Sequence, residues 1–148
     1  MCGLAGSLEF QPATPADTLS RQIQCMAETL RHRGPDSGGH WIDAKAGIAL
    51  GFRRLAIIDL SAEGAQPMAS HDDRYVIAYN GEVYNFPELR QELVAKGHAF
   101  SGHSDTEVIL AAIVEWGLEA AVERFIGMFA IALWDCRERT LRLVRDRL

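Results

Sequence analysis

Hydrophobic positions along the chain switch between a helical and an alternating period, and each switch marks the boundary of a short element. Gly3 to Phe10 is small and apolar, as suits a buried strand at the N-terminus. Leu19, Ile23, Met26, Ala27 and Leu30 then recur at helical spacing, with Thr14 as N-cap and Pro15 at the first helical position. Arg31, His32 and Arg33 suit the negative end of that helix dipole, and Gly34-Pro35 stops it. Gly39 to Ile42 and Gly47 to Asp59 read as strands, the second closed by the turn-prone stretch Glu63 to Pro67. Tyr75 to Tyr79 is a further strand leading into Asn80-Gly81, a strong hairpin signal.

Two more helices are expected, from Pro87 to Lys96 with Gly97 as stop and from Thr106 to Trp116 with Gly117 as stop. Ser104 and Glu107 have the spacing of a capping box for the second. Met128 to Asp135 and Thr140 to Arg145 form a strand pair around the charged turn Cys136 to Arg139. Phe129, Ile131 and Leu133 share one face, and the opposite face, with Ala130, Ala132 and Trp134, is apolar too. Both sides of this sheet should therefore be covered. No repeat or linker interrupts the pattern. The expected architecture is one α+β domain over residues 1–148, with helices outside largely antiparallel sheets.

Composition agrees with a single globular core: 48% of the 148 residues are apolar and 24% charged. With 20 acidic and 15 basic side chains, the net charge of -5 gives no field that draws phosphates or anionic lipid, so nucleic acid and membrane are not expected partners. Cys2, Cys25 and Cys136 lie far apart without metal-ligand spacing, which fits reduced thiols and a cytoplasmic protein. His98 and His103 flank a loop but lack a third ligand, and no metal site is expected. The stretch Met1 to Phe10 lacks the basic start of a signal peptide, and no apolar run approaches a membrane span.

The chemistry begins at Cys2. Met is cleaved before a small second residue, which would give this cysteine a free α-amine beside its thiol. An α-amine titrates at roughly 7.7 to 8.0 and a free thiol at about 8.5, so one residue can supply both nucleophile and base near neutrality. By position alone, Cys2 reads as a small buried residue after the start codon.

Cys2-Gly3-Leu4-Ala5-Gly6 resembles the opening of class II glutamine amidotransferases, and further segments resemble the asparagine-synthetase branch. These are Arg31 to Asp36 (RHRGPD), Arg53 to Met68, Tyr79 to Asn85 (YNGEVYN), Ser104 to Leu110 (SDTEVIL), Gly127 to Asp135 (GMFAIALWD) and Val144 to Arg147. The resemblance covers essentially the whole chain and implies the N-terminal-nucleophile hydrolase sandwich, two antiparallel sheets between helical layers. It implies that Asn80 and Gly81 form an oxyanion hole, and that Arg54 holds the α-carboxylate of glutamine. It implies further that Glu82 and Asp105 contact the amino end, Asp105 pairing with the α-ammonium group. Read from the residues alone, Asn80-Gly81 is a hairpin turn, Arg54 a strand arginine, Asp105 a helix cap and Glu82 an exposed carboxylate. Arg53 is taken as a surface arginine.

The implied reaction is hydrolysis of the glutamine side-chain amide through a Cys2 thioester, with no cofactor for this half. In the resembled family a second domain or subunit uses ATP and magnesium to activate an acceptor such as aspartate and receives the ammonia. Nothing here resembles a phosphate-binding loop of the P-loop type, since Ser37-Gly38-Gly39 follows the wrong kind of segment. The family continues past Arg145-Asp146-Arg147 with more sheet, so the domain reads as a partial sequence. Its unpaired edges would favour association, a homodimer included. Alternatives are a related amidotransferase making another amidated product, and a remnant that binds glutamine without hydrolysing it.

Overall fold

The computed structural model describes residues 2–56 and 62–147. Its elements run β1 (Gly3–Leu8), α1 (Ala16–Glu28), β2 (Ser37–Asp43), β3 (Ile48–Arg54), β4 (Met68–Ala69), β5 (Tyr75–Val83), α2 (Phe86–Ala95), α3 (Asp105–Trp116), α4 (Leu118–Arg124), β6 (Gly127–Asp135) and β7 (Thr140–Arg145). The strands form two sheets, ordered β1-β3-β2 and β4-β5-β6-β7, with antiparallel pairing throughout.

Alternation along the strands sets the layers. In β3, Ile48 and Leu50 point between the sheets onto Val76, Ala78, Ala132 and Trp134, while Ala49 turns outward to Leu19 and Ile23 of α1. In β5 and β6, Ile77, Val83, Ile131 and Leu133 face outward beneath Leu89 and Leu93 of α2 and Val108, Ile109 and Ile113 of α3. Each fully buried side chain of this size contributes about 1.5–3 kcal/mol of transfer free energy. The order helix, sheet, sheet, helix is the α+β sandwich that the resemblance implied.

Several local expectations need correction. Asn80-Gly81 is not a hairpin turn: β5 continues through it, and the two residues pair with Ala130 and Phe129 of β6. Nine residue pairs along β6 outweigh the local turn preference, and the chain reverses through α2, α3 and α4 instead. Thr14 does not cap α1. Its hydroxyl donates to Glu9, whose carboxylate also accepts the N–H groups of Ala13 and Thr14, and Pro15 stands at the cap position. These bonds hold the Glu9 carboxyl below its ordinary range.

Helix α1 ends at Glu28, several residues before Gly34, and buries the narrow stripe Leu19, Ile23 and Ala27 while Met26 is exposed. The capping box is half formed. Ser104 accepts from the N–H of Glu107, but the Glu107 carboxylate turns back to the N–H groups of Ser101 and Gly102. Strands β1 and β3 are shorter than expected at their far ends, and the proposed extension of β3 across residues 57–59 lies outside the described residues. Neither α4 nor β4 was signalled by periodicity, being seven and two residues long. Among the described residues no helix is long and apolar enough to cross a membrane.

Candidate active site

Strand β4 pairs with Ile77 and Val76 of its neighbour, and among the described residues no strand pairs with the second half of β5 on that side. A cavity of about 120 Å³ lies there, and Cys2, Arg54, Asn80, Gly81, Glu82 and Asp105 all line it. These six come from the residue before β1 and from β3, β5 and α3, spread over more than a hundred residues of chain. The cavity wraps around the sheet edge. Asn80 and Glu82 belong to the face between the sheets, where Cys2 enters, while Tyr79 and Asp105 belong to the helical face.

Strand register determines what that edge offers. Phe129 donates its N–H to Asp146 Oδ2 at 2.6 Å, and its carbonyl accepts from the Asp146 N–H at 3.0 Å, so its backbone polar groups turn away from β5. Its register partner Gly81 must likewise turn its N–H and C=O away from β6, toward the cavity. The same edge presents the N–H of Tyr79, which donates to Gln66 Oε1 at 2.6 Å, and the N–H of Val83, which donates to Asp105 Oδ2 at 3.2 Å. Side chains thus occupy the donors on either side of Gly81. A Cβ on Gly81 would lie 2.2 Å from Met128 O and 2.6 Å from Phe129 Cα, so only glycine lets β5 stay close to β6 here. Beside it, the side-chain oxygen of Asn80 is buried with no hydrogen-bond partner among the described residues. That atom is an acceptor; the donor this amide can offer a ligand is its NH2 group.

The Cys2 sulfur rests on the backbone of Leu55, accepting its N–H at 3.3 Å and facing its carbonyl at 3.6 Å. The loop after α1 fixes this corner. Arg33 donates through Nε to the Cys2 carbonyl at 3.1 Å, and Asp36 Oδ2 accepts the Ala56 N–H at 2.8 Å. Arg53, expected on the surface, is instead largely covered and donates to the carbonyls of Gly34 and Pro35, with Glu28 as a further partner. What reads as a helix stop in sequence is therefore a buttress for residue 2 and the end of β3. Gly34 and Pro35 signal the break, but nothing local signals the partners of Arg33 and Asp36.

Arg54 enters the cavity from the neighbouring position, its guanidinium so close to Gly64 that a Cβ there would lie 2.3 Å from one of its nitrogens. Arg54 and Asp105 thus give the cavity lining both a planar cationic fork and a carboxyl group. Asp105 is 6% exposed and accepts from the Tyr79 hydroxyl at 2.7 Å. Burial pushes its carboxyl above the ordinary range, against the lowering effect of Tyr79 and the N–H groups of Val83 and Thr106. Burial and the nearby Asp105 push the Tyr79 phenol up as well, so it stays a hydroxyl donor. Gln66 ties the two sides, donating through Nε2 to Thr106 Oγ1 at 3.2 Å while Oε1 holds the Tyr79 N–H. Tyr79 and Gln66 escaped sequence reasoning because an apolar-looking strand residue and a loop amide carry no local signal of such partners.

A raised Asp105 pKa has a consequence for stability. The folded state holds the proton more tightly than the unfolded chain, whose aspartate titrates near about 3.9. The group therefore favours folding fully below that value, and the advantage is lost as pH rises through the folded pKa. Asp105→Asn is expected to raise the thermal midpoint at neutral pH, and the gap should close in scans carried toward pH ~4.

Among the described residues no group of His, Cys, Asp and Glu could hold a metal ion. His98 instead pairs with Glu115 at 3.1 Å, and all three cysteines are free thiols.

A four-layer α/β/β/α sandwich with the second residue's thiol at the edge of an inner strand defines the N-terminal-nucleophile class of domain. A family profile described as a glutamine amidotransferase domain matches residues 1–148, and the chain belongs to that family. It is 42% identical over 146 residues to asparagine synthetase (glutamine-hydrolyzing) 1 from Bacillus subtilis, covering 99% of this chain and 22% of the relative. A putative asparagine synthetase (glutamine-hydrolyzing) from Mycobacterium tuberculosis is also 42% identical, over 99% of this chain and 24% of its own length. The chain thus spans about a quarter of these curated relatives. Among solved structures, a glutamine phosphoribosylpyrophosphate amidotransferase from B. subtilis, complexed with ADP and GMP, aligns with a TM-score of 0.53 and 23% identity. That alignment covers 68% of this chain and 24% of the other, a likeness of fold.

Proposed function

We propose that this domain hydrolyses the side-chain amide of L-glutamine to glutamate and ammonia, with Cys2 as nucleophile. The observation that carries this reading is the meeting of the Cys2 thiol and the outward Gly81 N–H in one cavity that Arg54 and Asp105 also line. Removal of Met1, which lies outside the described residues, would free the α-amine of Cys2 as the base. The thiolate attacks the carboxamide carbon. The resulting oxyanion takes the Gly81 N–H and the Asn80 amide as donors, aimed where charge develops. The protonated amine then gives its proton to the departing ammonia, and water, activated by the same amine, releases glutamate from the thioester. Arg54 takes the α-carboxylate, and Asp105, with Glu82 nearby, takes the α-ammonium.

Ammonia made this way serves an acceptor activated elsewhere. The relatives' names point to asparagine synthesis, and the family resemblance to an ATP- and magnesium-dependent synthetase domain or subunit, in the cytoplasm, that uses aspartate. The glutaminase half itself uses no cofactor. Incubating the protein with glutamine, after intact-mass measurement shows Met1 gone, is expected to release glutamate and ammonia in equal amounts. Binding of glutamine without either product would leave only an inactive glutamine-binding domain.

A further inference from the structure

We propose that Tyr79 is a positioning residue for the amino end of the substrate, its hydroxyl holding the Asp105 carboxylate in the orientation and charge state that an α-ammonium group requires. The proposal rests on the reading of Asp105 as the ammonium contact. It adds a residue that lies on the opposite face of β5 from Asn80 and looks, in sequence, like ordinary core.

The geometry is specific. Tyr79 is 3% exposed and Asp105 6%, and the phenol donates to Oδ2 at 2.7 Å. The Val83 N–H lands on the same oxygen at 3.2 Å. An ionised carboxylate has about four acceptor positions on its two oxygens, so loading Oδ2 fixes the plane of the group and leaves capacity on Oδ1 for a further donor. A hydrogen bond to a charged acceptor contributes about 1.5–3 kcal/mol, the scale needed to offset part of the cost of burying the charge.

Several groups bear on Asp105. From β5, Tyr79 and the Val83 N–H favour the ionised form, and Glu82 opposes it; from its own helix, the Thr106 N–H favours it. Cys2 and Arg54 line the same cavity from the other sheet. Without the phenol, burial and Glu82 would oppose the charge against two backbone donors alone. The Tyr79 backbone is itself anchored, because Gln66 accepts its N–H and reaches on to Thr106. One buried side chain thereby joins the strand that carries Asn80 and Gly81 to the helix start that carries Asp105, so both ends of the substrate are held in one frame.

The test is glutaminase kinetics of Tyr79→Phe in the intact protein between about pH 5 and 8. We expect KM for glutamine to rise about tenfold or more, kcat to stay within about threefold, and the acid limb of kcat/KM to move to higher pH. A folded Tyr79→Phe with unchanged KM and acid limb, or with its loss confined to kcat, overturns the proposal. Asp105→Asn separates this from the parent reading: if that variant leaves KM unchanged, Asp105 is not the ammonium contact and both readings fall. If Asp105→Asn raises KM while Tyr79→Phe does not, only the positioning role fails. Should Tyr79→Phe not fold, 3-fluorotyrosine incorporated at position 79, a stronger donor of nearly the same shape, is expected to move the acid limb to lower pH. An unmoved limb then overturns the proposal.

Discussion

Cys2→Ala is expected to lower glutamate release from glutamine by roughly 10⁴-fold or more, with glutamine binding retained. The size of the effect follows from the role. Removing the nucleophile from a covalent mechanism leaves only the stabilisation supplied by the oxyanion donors and by binding. Retained binding follows from the geometry, because Arg54 and Asp105 reach the cavity from β3 and α3 without depending on the Cys2 side chain. The sulfur's contacts are to the Leu55 backbone, and the Cys2 carbonyl, rather than its side chain, takes the Arg33 bond. Alanine should therefore leave the corner folded. Steady-state assays of glutamate release, with isothermal titration of glutamine onto the variant, check both halves. Activity equal to the wild type would remove Cys2 from the chemistry.

Asn80→Ala is expected to lower kcat by about 10²–10³-fold, with KM changed far less, because a donor aimed at the oxyanion acts mainly in the transition state. Its cost to folding should be small. Asn80 pairs with Ala130 through backbone groups, and its side-chain oxygen has no hydrogen-bond partner among the described residues to lose. Initial-rate kinetics beside a thermal melt would show the split. A fall in stability with kcat preserved would make Asn80 a structural residue instead.

The sandwich itself was legible in sequence wherever period and burial coincide. Phe129, Ile131 and Leu133 alternate with Ala130, Ala132 and Trp134, and that alternation is what places β6 between the helical layer and the inter-sheet core. Ser104 and Gly117 marked the ends of α3 because cap and stop are local chemistry. Asn80-Gly81 misled for the complementary reason. Its turn preference is local, while its actual conformation is imposed by β6, some fifty residues later.

The site divides the same way. Cys2, Arg54, Asn80, Gly81, Glu82 and Asp105 were all recognisable from the resemblance, and the fold gathers them around one cavity. The segment Arg33 to Asp36 read as a helix stop from the residues and as part of the glutamine pocket only from the resemblance, while Gln66 and Tyr79 were given no role, since their partners lie 40 and 26 positions away and meet them only once the layers have stacked. Arg53 shows the reverse error. A strand arginine beside another arginine looks like surface, yet its guanidinium pins the Gly34-Pro35 loop that holds the corner of the cavity.

Reaction of the protein with a thiol-directed electrophilic analogue of glutamine, followed by peptide mass mapping, tests the nucleophile most directly. A single label on Cys2, loss of glutaminase in proportion to labelling and protection by glutamine are the expected results. Label confined to Cys25 or Cys136, or full activity surviving complete modification of Cys2, would contradict the account.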